Sequence, residues 1–84
     1  MAQHADPILR YDGRVWRGED SSMDVWMSDA TFQSYVTAYL QTIDLTEPTT
    51  DQRADAVQHC RSVSYWHGVR DSKVHIRPVQ GGAG

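Results

Sequence analysis

An Asp-Gly pair, Asp12-Gly13, stands between two short β-prone runs, Ile8-Leu9-Arg10-Tyr11 and Arg14-Val15-Trp16-Arg17. Glycine enters positive φ freely and aspartate tolerates it, as the two central positions of a type I′ hairpin turn require. The chain is therefore expected to open with an antiparallel ribbon, whose register follows if the turn takes the two-residue form. In that register Tyr11 opposes Arg14, Arg10 opposes Val15, Leu9 opposes Trp16 and Ile8 opposes Arg17, so Leu9 and Trp16 share one face and Arg10 and Arg17 the other. Gly18-Glu19-Asp20-Ser21-Ser22 is a polar turn, and Met23-Asp24-Val25-Trp26-Met27 then alternates with period two, as a half-buried third strand should.

The period changes after Met27. Ser28 suits an N-cap with Asp29 in the first turn, and Phe32, Tyr35, Val36, Tyr39, Leu40 and Ile43 recur at helical spacing, predicting a helix to about Asp44. Its opposite flank, Gln33, Ser34, Thr37, Gln41 and Thr42, carries no charge, which points to cover by another part of the chain or by a partner. Thr49 with Gln52 three residues on has the form of a capping box, opening a second helix with the small-residue stripe Ala56, Val57, Cys60, Val63, Ser64 and His67. Gly68 is the natural left-handed terminator, with Tyr65 and Trp66 adding bulk before it. Lys73-Val74-His75-Ile76-Arg77 alternates again up to Pro78, with Val74 and Ile76 inward and Lys73, His75 and Arg77 outward.

The order β-β-β-α-α-β predicts an α+β two-layer domain: a four-stranded, mainly antiparallel sheet with two helices on one face. At 84 residues there is room for one such domain only, spanning 1–84, with 1–6 and 80–84 expected to be disordered ends. No long apolar run is present, so no membrane contact is expected. The single cysteine forms no internal disulfide, and Met1 to Pro7 has neither a basic nor an apolar segment of the secretory kind; both point to the cytoplasm.

Catalytic and metal chemistry find little to stand on. Cys60 and His67 lie seven apart, two helical turns, and so share a face of the second helix, but the paired close spacings of a structural zinc site are missing. A cysteine centred on an apolar stripe is expected to be a buried, inert thiol, and His59, four residues after Asp55, to be a surface group. There is no Gly-x-Ser-x-Gly elbow and no Gly-rich loop with lysine before a helix. The carboxylates gather at turns and helix starts, where capping explains them. The expectation is a protein that is not an enzyme and needs no cofactor.

Val74-His75-Ile76-Arg77-Pro78-Val79-Gln80-Gly81-Gly82 resembles the last strand and diglycine tail of the ubiquitin-like sulfur-carrier family. That resemblance implies sulfur transfer from a C-terminal thiocarboxylate, with Gly81 and Gly82 entering an adenylating partner. It covers about a tenth of the chain. Ala83-Gly84 follows the diglycine and would need trimming, and two successive helices before the last strand depart from the β-grasp order.

Surface composition gives the leading expectation. If the alternations hold, Arg10, Val15, Arg17, Trp26, Lys73, His75 and Arg77 point away from the helices, with Asp24 among them. Arginine and tryptophan beside a few apolar groups make the composition of binding hot spots. Arg10, Val15, Arg17, Trp26, His75 and Arg77 are thus the candidate binding residues. Residues 19–55 carry eight carboxylates against Arg53 alone, so the chain has basic ends and an acidic middle within a net charge of −3. A protein partner, in the form of a larger complex whose surface the chain occludes, is the expected target, met either by this face or by the acidic stretch 19–55 set against a basic surface, one that normally holds nucleic acid; this makes the chain a small regulator or inhibitor. In scale and lack of chemistry it is similar to the small inhibitors that phages and mobile elements encode. Nucleic acid bound by the basic sheet face is the alternative, opposed by an isoelectric point near 5.7. A homodimer seam along the neutral helix flank is a further alternative.

Overall fold

The computed structural model describes residues 7–79. Four strands, β1 (Arg10–Tyr11), β2 (Val15–Glu19), β3 (Met23–Ser28) and β4 (His75–Pro78), form one sheet in the order β1-β2-β3-β4. Every pairing is antiparallel. Between β3 and β4 run α1 (Asp29–Thr42), α2 (Thr50–Arg61) and a short 3-10 segment, Val63–Trp66, which together cover one side of the sheet. This is the α+β arrangement that the alternation and helical spacing predict. The terminal segments 1–6 and 80–84, including the diglycine of the carrier resemblance, lie outside the described residues.

The hairpin forms, with its register moved by two. Tyr11 pairs with Trp16 and Arg10 with Arg17, and the Asp12 amide donates to the Val15 carbonyl at 3.2 Å. The cause lies in the Asp12 carboxylate, whose Oδ1 accepts from the amides of Arg14 (2.8 Å) and Val15 (2.9 Å). Aspartate thus caps the turn from its first corner, leaving Gly13 at φ +97° and Arg14 as the central pair. A shift of two preserves sidedness, so the predicted faces survive although the partners change.

Ile8 leaves the hairpin altogether. It bridges to Ser62, while the Leu9 amide donates to the Arg61 carbonyl at 2.7 Å and Arg61 Nε returns a bond to the Leu9 carbonyl at 3.0 Å. This crossing strand lies over Gly18, where a Cβ would meet the Ile8 carbonyl oxygen at 2.8 Å. Gly18 therefore continues β2, where the sequence suggested a turn, because only glycine leaves room for the chain above it.

The same docking ends α2 early. Where the stripe predicted a helix reaching Gly68, the backbone turns extended at Ser62, and the Val63 amide donates to the Pro7 carbonyl at 3.1 Å. Trp66 Nε1 then caps the Cys60 carbonyl at 2.8 Å from a fully buried position. Val63 is buried, but Ser64 and His67 are exposed, so Cys60 and His67 do not share a face. The helix starts match expectation. Ser28 Oγ accepts from the Thr31 amide, and the capping box of Thr49 and Gln52 is complete in both directions.

α1 stops at Thr42, two residues short of the predicted end. The Leu45 amide reaches the Leu40 carbonyl (2.9 Å) and the Asp44 amide the Gln41 carbonyl (3.1 Å), a Schellman closure with Asp44 at φ 62° in the position glycine usually takes. Ile43, expected on the buried stripe, is 47% exposed as a result. Near the other end, the Asp71 carboxylate accepts the Lys73 amide and its carbonyl the Val74 amide, so Lys73 belongs to a turn and not to the last strand. Val74 is buried as expected, whereas Ile76 lies on the helix side of an edge strand and stays 36% exposed.

The core joins Met23, Val25 and Met27 of β3 to Phe32, Val36 and Leu40 of α1, with Ala56, Cys60 and Trp66 closing it from the α2 side. Trp16 seals the margin, stacking on Phe32 at 4.0 Å between centroids while its Nε1 donates to Asp29 at 2.9 Å. No helix among the described residues is long and apolar enough to cross a membrane.

Candidate functional site

Antiparallel pairing fixes what the uncovered side of the sheet displays. Arg10 stands opposite Arg17, Arg17 opposite Trp26, and Trp26 opposite His75, so these four side chains, one per strand, form a single line across the sheet. Trp26 is half-buried on β3 between the buried Val25 and Met27. Its indole lies against the His75 ring, 5.3 Å between centroids and 18° between planes. The guanidinium carbons of Arg17 and Arg77 lie 5.5 and 5.2 Å from its ring centroid, both within cation–π range. The predicted residues Arg17, Trp26, His75 and Arg77 are therefore one cluster. Val15 lies half-buried on the same side, paired with Ser28, and Arg10 extends the line to the opposite sheet edge. Lys73, in its turn, is not part of the sheet.

The lower end of this face changes sign. Glu19 and Asp24 are cross-strand partners, and Arg77 Nη2 donates to Asp24 Oδ2 at 2.9 Å. Together with Pro78 and Val79 they line an open groove of about 380 Å³. Among the described residues Arg77 is the only arginine of the face held in an ion pair; Arg10 and Arg17 have none.

Elsewhere the titratable groups are accounted for by packing. Burial pushes the Cys60 thiol up to about 11. Tyr35 donates to Asp71 Oδ2 at 2.6 Å, and burial followed by that bond raises the phenol to about 12. His59 stacks on Tyr39 at 4.2 Å and meets the edge of Tyr65, a contact that the Asp55 spacing did not suggest. The neutral flank of α1 is partly covered by its own chain, since Arg53 of α2 donates to Gln33 Oε1 at 2.7 Å and to Thr37 Oγ1 at 3.5 Å.

One long-range side-chain contact was invisible in the sequence. His67 Nε2 and Asp20 Oδ2 are 2.8 Å apart, tying the β2–β3 turn to the segment after Trp66 across 47 residues. The His67 bond, then the amide of Ser22, hold the Asp20 carboxyl well below the ordinary carboxylate range. A depressed folded-state carboxyl contributes stability that is complete above the ordinary range and drains as pH falls toward the folded value. Asp20→Asn should therefore lower the thermal midpoint at neutral pH by a few degrees and flatten its decline below about pH 4, as followed by circular dichroism.

No known family, curated protein or solved structure matches the chain.

Proposed function

We propose that the protein acts by binding, as a cytoplasmic regulator or inhibitor without chemistry of its own, and that its uncovered sheet face covers part of a larger protein complex. The supporting observation is Trp26 held half-exposed between the guanidinium groups of Arg17 and Arg77. Cross-strand neighbours restrict all three side chains before any partner arrives, so docking loses less rotamer freedom than it would for free side chains. An indole with two guanidinium groups close to its ring also offers large contact area with charge beside it, which is the make-up of interface hot spots. Around it, Arg10, Arg17, His75 and Arg77 on this side of the sheet are all exposed.

The tagged protein should retrieve its partner complex from native cells, whereas the double variant Trp26→Ala/Arg17→Ala should retrieve none of it. Both side chains lie outside the core, so the circular dichroism spectrum of the variant should match the wild type. Retention of the same partner by the folded double variant would place the working surface elsewhere.

A further inference from the structure

The line Arg10–Arg17–Trp26–His75 carries more information than the cluster around Trp26. Neighbouring strands lie about 4.8 Å apart, so the line runs about 14 Å from one sheet edge to the other. Its first two members are like charges placed directly opposite one another, an arrangement that weakens a strand pair. Neither has an ion-pair partner among the described residues. A carboxylate supplied from outside would satisfy both.

Resting on the binding role proposed above, we infer that the line is a docking track for an acidic segment of the partner protein. Such a segment places carboxylates over Arg10 and Arg17, an apolar group on Trp26 and a further acceptor at His75. The length fits. Residues i, i+3, i+7 and i+10 of a helix lie on one face and span about 15 Å, one for each of the four positions of the line. Nucleic acid carries its charge without gaps, and a strand continuing past Trp26 toward Arg77 would run onto Glu19 and Asp24, whose carboxylates repel it. A protein segment needs negative charge only where the cations stand. Charge complementarity of that patterned kind selects an acidic peptide over a polyanionic backbone.

Arg10 separates this inference from the broader one, because it belongs to the line and lies a strand away from the Trp26 contacts. Labelled oligo-glutamate of about twenty residues and an oligo-thymidine of equal length serve as probes, read by fluorescence anisotropy at low and at physiological salt. The oligo-glutamate should bind, weaken as salt rises, and lose at least fivefold in affinity with Arg10→Glu. Arg10→Gln should lose affinity while raising the thermal midpoint by about 2–4 °C, since the like-charge pair is relieved; that rise also certifies the fold. Oligo-glutamate affinity unchanged by either Arg10 variant would overturn the track, as would tighter binding of the oligo-thymidine. If Arg10→Glu leaves partner capture intact while Trp26→Ala/Arg17→Ala abolishes it, the track falls and the binding face stands.

Discussion

Trp66→Ala should leave the domain largely unfolded at room temperature. The indole is fully buried and touches Phe32, Tyr35 and Tyr65, with centroid separations of 6.4, 4.8 and 5.1 Å. Truncating so large a core side chain costs about 3–5 kcal/mol, comparable to the whole stability expected of a domain this size. A second loss compounds the cavity, because the Cys60 carbonyl at the end of α2 accepts its bond from Trp66 Nε1. Trp66→Phe separates the two contributions: it keeps most of the ring volume and gives up the bond, at about 1–3 kcal/mol. Urea titrations of both variants, followed by circular dichroism, check this ranking. A cooperative transition for Trp66→Ala near the wild-type midpoint would show that Trp66 does not anchor the core.

Gly18→Ala should be the next most damaging change. The added methyl would lie 2.8 Å from the Ile8 carbonyl oxygen, 2.9 Å from Val63 Cγ2 and 3.0 Å from Leu9 Cδ2. Two of those neighbours are side chains that can shift, but the first is backbone held by the bridge to Ser62. Overpacking of this kind costs about 1–3 kcal/mol. Its local signature is distinctive: the amides of Leu9 and Val63, which donate to Arg61 and Pro7, should lose hydrogen-exchange protection before the sheet does. Uniform loss across the domain would mean the strain is not confined to the crossing.

Gly18 also shows where sequence reasoning met its limit. Glycine beside Glu19, Asp20 and two serines has the composition of a turn, and only the chain passing above it shows why a strand needs glycine there. That passage joins residues 7–9 to 61–63, more than fifty positions apart, and no local pattern encodes it. The same contact broke the second helix at Ser62, where spacing alone predicted continuity to Gly68. His67 was displaced from its expected helix face for that reason and became the partner of Asp20.

What period-two alternation controls was legible. Met23, Val25 and Met27 are buried, Trp26 faces out, and Arg17, His75 and Arg77 gather round it. Sidedness depends only on parity, so it survived the two-residue slip of the hairpin that Asp12 imposes. The line from Arg10 to His75 was not legible, because it depends on register: in the predicted pairing Arg10 faced Val15. Capping chemistry was equally readable at Ser28 and Thr49, where side chain and amide lie three residues apart. At the end of α1 the pattern misled, since Ile43 continues the apolar spacing but follows the last helical residue.

The account rests on the uncovered sheet face being the surface that meets the partner. Hydroxyl-radical footprinting of the protein, free and in its captured complex, tests this most directly. Trp26 should lose most of its reactivity in the complex while Tyr39 and Ile43, beside the α1–α2 groove on the opposite layer, keep theirs. Full reactivity at Trp26 with protection of Tyr39 and Ile43 would place the partner on the helices and contradict the proposal.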